Sequence, residues 1–170
     1  MRRTRSAGFT LVELMIVVAV AAVLLAVALP SFQSVFRSNR VATATNEVIA
    51  TLSLARGEAI RNARGAAVCP SVDGETCGDD WTAGWIIWAD NDGDGVLDGD
   101  EVIRFVQGKS QAVVEGPEAG VQFDARGRIV GAATSIAVQP DECGGQALRR
   151  VIAVGVTGQV SRASAMEACE

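Results

Sequence analysis

Apolar positions follow three periods along the chain. From Phe9 to Leu29 they are almost continuous: Thr10 and Glu13 are the polar exceptions, and no charge occurs from Leu14 to Leu29. These 21 residues would rise roughly 32 Å as a helix, enough to cross the hydrocarbon core of a bilayer. The pattern predicts a transmembrane helix over 9–30. Beyond Pro30 the period changes to three and four residues, through Phe32, Val35, Phe36, Val41, Ala44, Val48, Leu52, Ala55 and Ala59. That spacing marks one apolar face of an amphipathic helix over 31–65, continuous with the first and stopping near Arg64, where Gly65 is the expected terminator. From Ala66 onward, short apolar runs alternate with Gly-, Asp- and Pro-bearing turns. Trp85–Ala89, Val102–Val106, Val121–Phe123, Ile136–Val138 and Val151–Val156 read as antiparallel strands. The expected fold class is α+β, with the second half of a long helix lying across one sheet or a pair of sheets in a β-rich domain over 66–170.

Composition narrows the chemistry. The 170 residues include no histidine and a single lysine, Lys109. Ser–His–Asp and Cys–His mechanisms and His-containing zinc sites are therefore excluded, and the expectation is that the protein is not an enzyme. Residues 31–170 carry 12 basic and 19 acidic side chains, net −7. A field of that sign does not attract nucleic acid. The four cysteines, Cys69, Cys77, Cys143 and Cys169, contain no CxxC pair and point to disulfides formed outside the cytoplasm. Three connectivities are open to them.

The first segment is flanked by Arg2, Arg3 and Arg5, which hold that end on the cytoplasmic side and place the domain across the membrane. A secretory signal cleaved after Ala28, within Ala26-Val27-Ala28, is the competing reading. The apolar run is longer than such signals use, and an acid one turn inside it, Glu13, is costly in lipid unless it meets a partner.

Gly8-Phe9-Thr10-Leu11-Val12-Glu13 resembles the class III leader junction of type IV pilins and type II secretion pseudopilins. The resemblance implies that residues 1–8 are a leader removed by a prepilin peptidase after Gly8, with the new amine of Phe9 methylated. It further implies that Glu13 sets assembly register by meeting a neighbouring subunit's N-terminal amine, and that Pro30 kinks the helix. Leu54-Ala55-Arg56-Gly57-Glu58-Ala59-Ile60, Val68-Cys69-Pro70-Ser71, and Trp81 through Trp88 are similar to one branch, the GspH/FimT group of minor pilins and pseudopilins. Implied partners are other major and minor pilins or pseudopilins, the peptidase and the inner membrane. The implied role is to prime assembly or form the tip of a filament.

Two further patterns carry chemistry. Asp90 to Glu101 fits the twelve-residue EF-hand calcium loop, with Asp90, Asp92, Asp94, Asp98 and Glu101 at acidic ligand positions and Val96 offering a carbonyl. Strand patterns flank it where helices would be usual, so the alternative is a polar hairpin tip. No cofactor is required by either reading; calcium is the ion the loop fits. Near the C-terminus, Thr157-Gly158-Gln159-Val160-Ser161-Arg162 is similar to a Gly-Arg-x-Arg element of DNA-receptor members of the group. Here Gln159 replaces the first arginine and Arg162 is displaced by one, so a DNA role for Arg162, with Arg149, Arg150, Arg126 and Arg128 as neighbours, is the minority reading.

Overall fold

The computed structural model describes residues 9–170, and for Val27, Pro30 and Ser31 the backbone alone. The leader and Gly8 lie outside the described residues. The chain divides into two compact units, Met1–Phe36 and Arg37–Glu170. One helix, α1 (Leu11–Asn62), runs through both. It begins two residues after the predicted start at Phe9 because Thr10 caps it: the Glu13 amide donates to Thr10 Oγ1 at 3.2 Å, and the Leu14 amide to the Thr10 carbonyl at 3.1 Å. The helical backbone passes through Pro30 without a break.

In the first unit every described residue from Phe9 to Ala26 is exposed. Among the described residues no helix is long and apolar enough to cross a membrane. The predicted apolar stripe also divides. Phe32, Val35 and Phe36 are exposed, whereas Val41, Ala44, Val48, Leu52, Ala55 and Ala59 are at most 2% exposed.

In the second unit the stripe is covered by two antiparallel four-stranded sheets. The first has the order β3-β2-β1-β5, from β1 (Gly65–Pro70), β2 (Gly84–Asp90), β3 (Val102–Gln107) and β5 (Val121–Asp124). The second has the order β4-β6-β7-β8, from β4 (Ala112–Glu115), β6 (Thr134–Pro140), β7 (Arg150–Val154) and β8 (Val160–Arg162). Leu52, Val68, Ile87, Phe123, Ile136 and Ile152 meet in the core between helix and sheets. The Trp85 indole donates to Thr51 Oγ1 at 3.1 Å, satisfying both buried groups. Strand β1 is buried at all six positions because the first sheet is covered on its outer face too. There Ala67, Cys69, Ile86 and Trp88 form a smaller cluster with Leu97 and Val102.

The helix stops at Asn62, two residues before the expected end. Ala63 takes a left-handed φ of 57°, and the Asn62 side chain does the terminating. Its Oδ1 accepts from the Arg64 and Gly65 amides (2.9 and 3.1 Å) and its Nδ2 donates to the Gly65 and Asp90 carbonyls (2.6 and 3.2 Å). One amide group thus caps α1, starts β1 and ties down the end of β2.

Candidate functional site

Three sets of predicted residues can be located: the N-terminal face of α1, the loop between β2 and β3, and the cysteines with the basic C-terminal residues. Phe9 is 82% exposed, and Glu13 lies in the first helical turn with its amide on Thr10. Thr10-Leu11-Val12-Glu13 is the Ser/Thr-x-x-Glu signature of a helix start. That signal, unused in the sequence reading, gives Glu13 a local role beside any assembly role: an acid near a helix N-terminus is favoured by the helix dipole.

The Asp90–Glu101 loop joins two adjacent antiparallel strands, so strands flank it. Its two ends are buried carboxylates, Asp90 at 6% and Glu101 at 4% exposure. Asp90 accepts from the Gly93 and Gly95 amides (2.5 and 3.1 Å), and Glu101 from the Asn91 and Asp98 amides (2.6 and 3.1 Å). Gly93 and Gly95 have φ of 91° and 75°, values that glycine adopts without penalty. Carboxylate oxygens of Asp90, Asp92 and Asp94 lie within 4.8 Å of one another. Asp98 and Glu101 are not part of that trio. The Asp98 carboxyl is pushed above its ordinary range by partial desolvation, then by repulsion from Asp94, Glu101, Asp92 and Asp100. Leu97 turns back onto the Trp88 and Ile86 cluster, tying the loop to the sheet.

A second loop was not singled out by sequence reasoning. Asp73 accepts from the Glu75 and Thr76 amides (both 2.9 Å), from Thr76 Oγ1 (2.7 Å) and from Ser71 Oγ (3.1 Å). These donors, the Glu75 amide foremost, hold its carboxyl far below the usual range. The signal was present as Asp-Gly-Glu-Thr, a run that favours side-chain-capped turns. The loop is closed by the Cys69–Cys77 disulfide (Cα–Cα 5.5 Å), while Cys143–Cys169 (6.4 Å) anchors the C-terminus. Of the three connectivities, the sequential one is formed.

The basic residues near the C-terminus have different surroundings. Arg149 is taken up by Glu115, Glu167 and Glu170, and Arg126 and Arg128 flank Asp124, which accepts both their amides at 2.9 Å. Arg162 ends β8 and is exposed.

A helix-led chain whose helix packs across antiparallel sheets, with a conspicuous apolar N-terminal stretch, defines the type IV pilin-like class. Residues 44–158 match the family Type II transport protein GspH, and residues 3–29 match the prokaryotic N-terminal methylation motif. The first match spans more than half of the chain, and the protein belongs to the GspH family of minor pilins and pseudopilins. The type IV minor pilin FimU of Pseudomonas aeruginosa is similar in fold, with a TM-score of 0.56 at 23% identity over 74% of this chain and 89% of FimU. The minor pseudopilin EpsH of the Vibrio cholerae type 2 secretion system gives 0.52 at 12% identity, over 72% and 95% of the two chains. No curated protein sequence matches the chain. Membership supports a structural role in a type IV pilus or a type II secretion pseudopilus, in a family that is generally non-enzymatic.

Proposed function

We propose that the chain is a single-pass inner-membrane minor pilin or pseudopilin that helps prime a filament or forms its tip. A prepilin peptidase cuts between Gly8 and Phe9 and the Phe9 amine is methylated. The apolar helix is held in the bilayer and then in the filament core, with the domain on the periplasmic side. Glu13 meets the N-terminal amine of a neighbouring subunit, a pairing that makes an acid tolerable in apolar surroundings and so fixes register. The observation that carries this reading is the exposed apolar helical stretch that lies within a matched methylation motif, residues 3–29. Other pilins or pseudopilins are the partners.

Mass spectrometry of the full chain from a host with the peptidase tests it. The expected mature N-terminus is methylated Phe9. Retention of residues 1–8, or a Leu29 terminus from cleavage after Ala28, overturns it. Glu13→Ala is expected to lose incorporation into filaments while the domain stays folded, and unimpaired incorporation removes the register role. The DNA-receptor reading is weakened by the net −7 and by the engagement of Arg149. A mobility-shift assay with the chain at low ionic strength decides it.

A second reading concerns the β2–β3 loop. Six carboxylates fall within its twelve residues, three with oxygens already close together, and hard oxygen donors in this order suit calcium. Asp90, Asp92 and Asp94, with the Val96 carbonyl, Asp98 and Glu101, would hold the ion, which would relieve their repulsion and stiffen the loop. Calcium is expected to raise the melting temperature of the chain and chelator to lower it, with Asp92→Asn/Asp94→Asn abolishing the difference. An unchanged melting temperature in calcium rejects the site.

A further inference from the structure

The register of β7 and β8 pairs Ile152 with Arg162, Ala153 with Ser161 and Val154 with Val160. The Ala163 amide extends the ladder by donating to the Val151 carbonyl at 2.9 Å. The next pairing, Arg149 with Glu167, is two residues out of this register, so the chain bulges through Ser164 before it rejoins the ladder. Side chains alternate across a strand, so Arg150 and Arg162, the second paired with Ile152, share one face of the ribbon, diagonal to each other. Arg149 belongs to the opposite face, where three carboxylates meet it. Adjacent arginines thus have opposite circumstances.

Arg150, Arg162 and Ser164, with Ala163 and Met166, line a cavity of about 160 Å³. No acidic residue lines it. Among the described residues neither arginine has an ion pair, although residues 31–170 hold 19 carboxylates. The Nε of Arg150 is buried and has no hydrogen-bond acceptor. Two guanidiniums converging on one cavity repel each other, and a buried donor without an acceptor is destabilising. An oxyanion entering between them relieves both.

We propose that this cavity is a binding site for a single carboxylate presented by a protein partner, from an acidic side chain or a chain terminus. Arg150 and Arg162 supply forked N–H donors matched to a planar carboxylate, and the Ser164 hydroxyl supplies another. The cavity admits one small group, Ala163 and Met166 give it apolar walls, and the net −7 of the domain opposes a long polyanion. Nothing in the assignment uses residues before Arg37, so it stands apart from the anchor and filament reading.

The test uses the full chain in detergent with ¹⁵N-labelled arginine. The probes are a neutral peptide with one internal glutamate and an amidated end, a peptide whose sole charge is a free C-terminal carboxylate, and their glutamine or amide counterparts. The Arg150 Nε–H resonance is expected to shift with the carboxylate peptides and not with the neutral ones. The two charged peptides show whether a side chain or a terminus is preferred. Arg162→Gln, at an exposed position, is expected to weaken binding about tenfold or more, and Arg162→Lys to restore only part of it. Arg126→Gln is expected to bind as the parent does. Equal shifts with the neutral peptides, or unchanged affinity in Arg162→Gln, overturn the site. A single-stranded oligonucleotide binding tenfold tighter than either peptide at equal ionic strength also overturns it. If Arg150→Gln fails to fold, the parent resonance and the Arg162 variants still decide the matter.

Discussion

Two stretches of the same helix use apolar residues in opposite ways. From Leu11 to Ala26, α1 is apolar around most of its circumference, and every side chain is exposed. From Val41 to Ala59 it is apolar on one stripe, and that stripe is almost wholly buried under the two sheets. The first stretch has one polar residue, Glu13, whereas the second sets Thr, Asn, Ser, Arg and Glu between its apolar positions. A helix with one apolar face finds its cover within its own chain, whereas one that is apolar all round needs lipid or other helices. Nothing among the described residues covers the first stretch. The boundary between the two behaviours falls between Phe36, 58% exposed, and Val41, fully buried.

The sharpest way to break this comparison is to make one substitution in the second stretch and read its cost. Leu52 is fully buried among both sheets, and Leu52→Ala is expected to destabilise the unit by about 2–5 kcal/mol, by lost burial plus the cavity left behind. Denaturant unfolding followed by tryptophan emission measures it. Trp81, Trp85 and Trp88 all lie in the second unit, so the signal reports on that unit alone. A cost under 1 kcal/mol would mean that the stripe is not the core. Next in size, Cys143→Ala/Cys169→Ala opens a ring with a sequence separation of 26 and is expected to cost about 3 kcal/mol or somewhat less. The same denaturation curve reads it, and the apolar stretch of α1 should be unaffected in circular dichroism.

Much of this division was legible in sequence because period is a direct record of which side is covered. The helix, the five strands named from apolar runs and the change of period near Ala66 all appear close to their expected places. Three strands escaped notice for physical reasons. In β1, small residues buried on both faces leave no alternation to read; in β4 the apolar Val113 separates buried Ala112 and Val114, so residue types do not alternate, and β8 has three residues, too few to show a period. The helix end was misplaced because Gly65 is the usual terminator, while here Asn62 caps α1 and Ala63 takes the left-handed turn. At the candidate sites, local order was readable and long-range pairing was not. The acidic loop could be listed ligand by ligand, but the burial of Asp90 and Glu101 depends on where the sheet puts them. The contrast between Arg149 and Arg150 needs the β7–β8 register, which no local pattern records.

Acid separates the two stretches by a smaller amount. Backbone donors hold Asp73 and Asp124 below the ordinary aspartate value of 3.8. A carboxyl depressed on folding contributes stability above the unfolded value and loses it as pH falls through the folded one. Asp98 has the opposite sign, because its folded value is raised. Its contribution is present below 3.8 and lost as pH rises through that raised value. The second unit is therefore expected to lose stability below about pH 4, read as loss of near-ultraviolet circular dichroism. Asp73→Asn should flatten that fall, and Asp98→Asn should raise the melting temperature at neutral pH when no calcium is present. If Asp98→Asn lowers it instead, the crowded loop is not a source of strain.

The smallest expected effect is the most informative, since it makes the same change as Leu52→Ala on the other side of the boundary. Leu24 is 65% exposed, so truncating it removes little packing within its own chain. In detergent, Leu24→Ala should leave the unfolding curve within about 0.5 kcal/mol of the parent. In cells the same variant should reduce incorporation into filaments, because the surface it trims is the one that has to be covered by something else. A loss of more than 1 kcal/mol in detergent would mean that the first stretch already packs against its own domain. The apolar helix would then be part of the fold, and the filament would no longer be needed to account for it.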